Sequence, residues 1–289
     1  MKLLLPVDGS DHSIQAARFL APRLPHWTVD GGLHVLHVGH PVTPRAAQLA
    51  GRELVEAFHR EETERATHTV RQILDAAGVP YRPAQRTGLP GREIAAHATE
   101  AGIDLVVMGT HGNGAFHNLL LGSTAQATLA SCDVPVLLVR PEAPVSSGPV
   151  LLAVDGSPQA MRAADFLAAH PRLSTARTVL LVHVAPGLPA GMPAALLERA
   201  REVLHDEADA TFEEAVAEPR RRLEDAGLAC ETRQAVGDPA IEIVRIAEQE
   251  GCELVTMGTH GRGAMGSVLL GSVAQKVVAA THVPVLLVR

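Results

Sequence analysis

The chain has 289 residues, a length that suggests about two domains, and either half is long enough to bury a core of its own. Apolar residues make up 46%, which fits a globular fold rather than a disordered chain. Aromatic residues make up only 2% and the net charge is −7. The core must therefore be aliphatic, and base stacking on aromatic side chains or attraction to a phosphate backbone is disfavoured.

The first segment, MKLLLPVDGS, reads as a strand over Lys2–Val7 with no signal-peptide pattern. Ser10–Leu20 reads as a helix, Leu33–Val38 as a strand, and Pro44–Ala77 as helical with room for a break. A strand near Tyr81–Arg86, a helix over Gly91–Ala101 and a strand over Asp104–Met108 follow. A helix over Ser123–Ala130 and a strand over Pro135–Val139 complete the first half. Pro141–Pro149 (PEAPVSSGP) has linker composition. No apolar run reaches roughly 18 residues, so no membrane span is expected. Cys132, Cys230 and Cys252 form no CxxC pair, which points to reduced thiols and a cytoplasmic chain.

The second half repeats the first. PVDGS at Pro6–Ser10 recurs as AVDGS at Ala153–Ser157, and LHVLHV at Leu33–Val38 as VLLVHV at Val179–Val184. DLVVMGTHGNG at Asp104–Gly114 recurs as ELVTMGTHGRG at Glu253–Gly263, and LLLGSTAQ at Leu119–Gln126 as VLLGSVAQ at Val268–Gln275. The offset stays between 146 and 149 residues, as a tandem duplication requires. Domains are expected over 1–140 and 150–289, joined by 141–149. Val/Leu/Ile strands alternating with helices imply a parallel sheet covered on both faces, with ligands beyond the carboxyl ends of the strands.

The segment after the fourth strand carries the chemistry. It reads Gly109-x2-Gly112-x9-Gly122-Ser123 in the first half and Gly258-x2-Gly261-x9-Gly271-Ser272 in the second. Glycines allow positive φ and close approach of N–H groups to an anion, and a helix opening at Gly-Ser offers its positive end to phosphate. Turn glycines with a Ser N-cap are the structural alternative. Asp8 and Asp155, each just after the first strand of its half, could accept hydrogen bonds from a ribose or an adenine amino group. An Asx-turn or helix cap built by Asp-Gly-Ser explains them equally well.

Several motifs are decoys. Gly261-Arg262-Gly263-Ala264-Met265-Gly266 fits GxGxxG but follows a fourth strand, and the first half breaks it at His117. His37-Val38-Gly39-His40 has the form HxGH, yet it follows the second strand and is not repeated. There is no Walker A, GxSxG or HExxH motif, and lysine occurs only as Lys2 and Lys276. His111 and His260 sit inside the glycine segment, where packing of the loop or contact with phosphate would each account for them.

Gly-x2-Gly-x9-Gly-Ser after strand four, with Asp-Gly-Ser after strand one, resembles the universal stress protein family over essentially the whole chain. The resemblance is to a tandem member of the ATP-binding type. It implies two Rossmann-like (adenine nucleotide alpha hydrolase-like) α/β domains, each a five-stranded parallel sheet of order 3-2-1-4-5 flanked by helices. It implies adenine held near Asp8 and Val38, and near Asp155 and Val184, with Pro6 and Ala153 lining the sites. Phosphates would lie on Gly109, Gly112, Gly122 and Ser123, and on Gly258, Gly261, Gly271 and Ser272. His111, Asn113 and Gly114, and His260, Arg262, Gly263 and Val273, complete the two candidate sets. Mg²⁺ would be held by phosphate oxygens and water rather than by protein side chains.

The second half has Arg262 where the first has Asn113, and Lys276 where the first has Ala127, so tighter ATP binding is expected there. The last strand of each copy is expected to be an edge that pairs with the other copy, and a further homodimer is expected by resemblance. A protein partner is left open; nucleic acid and membrane partners are not expected. With no positioned base or nucleophile, the expected role is a nucleotide-dependent stress sensor or regulator. A weak ATPase or phosphotransfer enzyme, or a pocket for a non-nucleotide ligand, are the alternatives.

Overall fold

The structure is a computed structural model that describes residues 1–28, 32–110, 121–140, 147–187, 194–261 and 270–289, with the backbone alone for 194–208. It divides into two units, Met1–Ala143 and Pro144–Arg289.

The first unit runs β1 (Leu3–Pro6), α1 (Asp11–Leu20), α2 (Leu24–Trp27), β2 (Leu33–Gly39), α3 (Pro44–Ala50), α4 (Arg52–Ala76), β3 (Arg82–Thr87), α5 (Pro90–Ala101), β4 (Leu105–Gly109), α6 (Ser123–Ser131) and β5 (Val136–Val139). The strands lie in the order β3-β2-β1-β4-β5 and pair parallel. The second unit runs β6 (Val150–Ala153), α7 (Pro158–Ala169), a 3-10 turn (Pro171–Leu173), β7 (Thr178–Ala185), α8 (Ala194–Asp225), β8 (Ala229–Val236), α9 (Pro239–Gln249), β9 (Leu254–Gly258), α10 (Ser272–Ala280) and β10 (Val285–Val288). Its order is β8-β7-β6-β9-β10, again parallel. Each unit is thus a Rossmann-like sheet of order 3-2-1-4-5, as the resemblance implies.

Burial explains which strands are plain in the sequence. Leu3, Leu4 and Leu5 are wholly buried, and β4 is buried throughout, because helices cover both faces of these central strands. Strand β3 (RPAQRT) has no fully buried residue; it lies at the margin of its unit, where Pro83 and charged side chains are tolerated. The helical stretch Pro44–Ala77 is broken at Gly51, whose φ of 80° is closed to most side chains. The short helix α2 has four residues, too few to carry a readable period in the sequence.

Candidate functional site

The helices after β1 and β4 leave the sheet at the point where strand order reverses, and a crevice opens there beyond the strand ends. In the first unit Pro6, Asp8, Val38, Gly109, Gly122 and Ser123 line a cavity of about 780 Å³. In the second, Ala153, Asp155, Val184, Gly258, His260, Gly261, Gly271, Ser272 and Val273 line one of about 500 Å³. Both volumes lie in the range of small-molecule sites. His111, Gly112, Asn113, Gly114, Arg262 and Gly263 lie outside the described residues.

The Asp-Gly-Ser segments form the turn and cap that their composition allows. Asp8 Oδ1 accepts from the Ser10 N–H (3.0 Å) and from the Ser10 hydroxyl (2.6 Å). Ser10 Oγ in turn accepts from the Ser13 N–H at 3.2 Å and caps α1. The second copy repeats this: Ser157 N–H donates to Asp155 Oδ1 at 3.0 Å, and Ala160 N–H to Ser157 Oγ at 3.2 Å. Gly9 and Gly156 stand between them at φ of 78° and 75°. The turn leaves each aspartate in its cavity wall. A Cβ on Gly261 would lie 2.5 Å from Asp155 Oδ2, so a side chain there would push this carboxylate aside.

The motif glycines correct one expectation. None of the described ones adopts positive φ, and Gly122 and Gly271 are extended at φ of −61° and −62°. Close approach is what requires them. A Cβ on Gly109 would meet His12 Cβ, C and O at 2.7 to 2.8 Å, and one on Gly258 would meet Gln159 Cβ at 2.6 Å. The first glycine of each motif therefore seats the end of the strand against the first turn of α1 or α7 and gives a steric reason for its presence there.

The Ser N-cap of the structural alternative is not what forms. Gly122 and Gly271 occupy the N-cap positions, with Ser123 and Ser272 already helical. Having no side chain, these glycines cannot cap, and the first-turn residues of α6 and α10 line the cavities. This is an arrangement suited to an anion.

A second correction concerns charge. Lys276 Nζ lies 2.8 Å from Asp238 Oδ2. Asp238 caps α9 through the Ala240 and Ile241 N–H groups, and its carboxyl is held below the usual range, chiefly by Lys276. The first half has Ala127 and Leu89 at these positions. Lys276 and Asp238 thus arrive together and add no net charge to the second site.

His37 also lines the first cavity, while its counterpart His183 is not among the residues that line the second. His37 and His183 are 5% exposed. Their Nδ1 atoms lie 2.9 Å from Val7 O and 2.8 Å from Val154 O, and since a carbonyl only accepts, each ring donates from Nδ1. The first cavity is further lined by His40, Phe58, Glu62 and Arg65. Repetition of His in LHVLHV and VLLVHV was the available signal for the histidines. The α4 residues give none, because helix α4 must be packed before they face the strand ends.

Comparison with known proteins agrees with this architecture. The model of the "Universal stress protein family" matches residues 1–140 and 147–289. A universal stress protein of Mycolicibacterium smegmatis is 29% identical over 298 residues, covering 99% of this chain and 96% of that protein. A universal stress protein of Thermus aquaticus is 40% identical over 140 residues, covering 48% of this chain and 97% of that protein. The crystal structure of a universal stress protein from Archaeoglobus fulgidus superposes with a TM-score of 0.65 at 23% identity, covering 100% of this chain and 96% of that one. With family segments matched in both of its repeated halves, the chain belongs to the universal stress protein family, as a tandem member carrying two family domains.

Proposed function

We propose that the protein binds ATP, or a close adenine nucleotide, in the cavity of the second unit, and that it acts as a nucleotide-dependent regulator. One observation carries the reading. Asp155, Val184, Gly258, Gly261, Gly271 and Ser272 come from separate segments and line one cavity at the carboxyl ends of the strands. Its size suits a nucleotide, its walls include Val182, Val184, Ile243 and Met257 for a base, and the first turn of α10 suits phosphate. Asp155, steadied by the Ser157 N–H, would accept from ribose or base. A Mg²⁺ ion would neutralise the phosphates and be held by their oxygens and by water. Among the described residues no group of three His, Cys, Asp or Glu side chains has metal-holding geometry.

The titratable side chains described in this cavity are Asp155 and His260. Asp155 already anchors a turn, and His260 Nδ1 lies 3.1 Å from Thr259 Oγ1. This favours slow ATP hydrolysis at most, with nucleotide stabilising one conformation or partner surface. The first cavity is read as a second nucleotide site. The reading extends to a cytoplasmic homodimer, for which light scattering gives the mass. Among the described residues no helix is long and apolar enough to cross a membrane.

The test is to denature freshly purified protein and identify the released nucleotide by chromatography and mass spectrometry. ATP in stoichiometric amounts is the expected result. No nucleotide released, and none taken up from ATP with Mg²⁺, would sink the reading.

A further inference from the structure

We propose that the first unit's cavity selects a guanine-type base, a planar heterocycle with adjacent hydrogen-bond donors on its edge, while the second takes adenine; this rests on reading both cavities as nucleotide sites. The starting point is an unsatisfied wall between β2 and α4. His37 Nε2, His59 Nδ1, Glu62 Oε2 and Thr63 Oγ1 are buried with no hydrogen-bond partner among the described residues. Buried polar atoms are normally paired, and each left unpaired is costly; His59 Nδ1 and Glu62 Oε2 face each other at 3.5 Å, which leaves His37 Nε2 and Thr63 Oγ1 as the unpaired atoms. His37 is 5% exposed, and its Nδ1 donates to Val7 O at 2.9 Å. In the neutral ring Nε2 is then an acceptor.

Glu62 supplies further acceptors. Its carboxylate lies 3.5 Å from His59 Nδ1 and 3.7 Å from His40 Nδ1, close enough for ion pairing if those rings are protonated. His37 and Glu62 both line the cavity, and so does Phe58, an aromatic ring 45% exposed. A flat base can lie against that ring while its edge meets the acceptors. Guanine presents two neighbouring donors, the ring N–H and the 2-amino group. Adenine presents one amino donor beside a ring acceptor, which would face another acceptor here.

The second unit shows that this wall is built in. Leu74 and Leu223 are both wholly buried, and Gly78 and Gly227 both follow at positive φ, so α4 and α8 share one register. In that register His59, Glu62 and Thr63 correspond to Ala208, Thr211 and Phe212, and His40 corresponds to Pro186. The Phe212 ring lies 6.4 Å from His183, so an aromatic side chain stands beside the second histidine. Gly39 and Ala185 change in step. A Cβ on Gly39 would lie 2.8 Å from Glu62 Oε2 and 3.3 Å from His59 Nδ1, whereas the second unit carries the Cβ of Ala185. The strand has made room for the Glu62–His59 pair.

Equilibrium dialysis of the full chain with labelled GTP under saturating ATP tests the assignment. GTP should be retained beside ATP, and Glu62→Gln should weaken GTP on the order of tenfold or more without changing ATP stoichiometry, which also reports that the variant is folded. Phe58→Leu should weaken GTP in the same selective way. Displacement of GTP by ATP, absence of GTP while ATP binds, or unchanged GTP affinity in Glu62→Gln would overturn the inference and leave the adenine site standing. Failure of both nucleotides to bind would overturn the nucleotide reading as well.

Discussion

The two units share every strand and the order of the strands, yet they differ in what lies between the second strand and its helices. In the first, His34 Nδ1 on β2 lies 3.0 Å from His97 Nε2 on α5. The matching residues of the second are Leu180 and Ile246, both buried. On the opposite face of β2 stand His37, His59 and Glu62, where the second unit sets Phe212 beside His183. The central strands specify the sheet by burial on both faces. The contacts flanking it can change from apolar to polar when both partners change together, since a polar group facing an apolar one would be left unpaired.

The largest expected effects break what the units share. Gly109→Ala would force a Cβ within 2.7 Å of the α1 backbone, and Gly258→Ala within 2.6 Å of Gln159. Each should cost about 1–3 kcal/mol by overpacking, read by denaturant unfolding. A neutral result in one unit alone would show that the two frames are not equivalent.

A smaller effect should separate the units by pH. Burial, then Arg82 and Lys2, lowers the His34 pKa, and burial, then His34 and Arg86, lowers that of His97. The unfolded chain therefore binds more protons than the folded one over the intervening range. The stability from this pair is full above about pH 6.5 and declines as pH falls through that value toward the lowered folded pKa values. Replacing both residues with those of the second unit, His34→Leu with His97→Ile, should flatten this dependence in urea titrations. An unchanged slope would place the pH sensitivity elsewhere.

The smallest effect concerns the charge difference between the cavities. Because Lys276 is paired with Asp238 in an exposed position, Lys276→Ala should shift ATP affinity by no more than about threefold. A loss well beyond that in titration calorimetry would mean that Lys276 leaves Asp238 for the phosphates and adds its charge to that of Arg262 at the second site.

Much of this protein is legible in its sequence, because the information is local or repeated. Runs such as LLLP and LVVMG mark strands buried on both faces, and Asp-Gly-Ser carries its own turn and cap. The spacing of Gly109, Gly122 and Ser123, repeated at Gly258, Gly271 and Ser272, marks the segment that reaches the cavities. Tertiary structure alone decided the rest. It showed that Gly109 and Gly258 are demanded by helices rather than by positive φ, that Lys276 is answered by Asp238, and that Glu62 and His59 come to rest beside Gly39. Each of these is a contact between segments far apart in the chain, set by how helices pack on a sheet, and no periodicity within one segment encodes it.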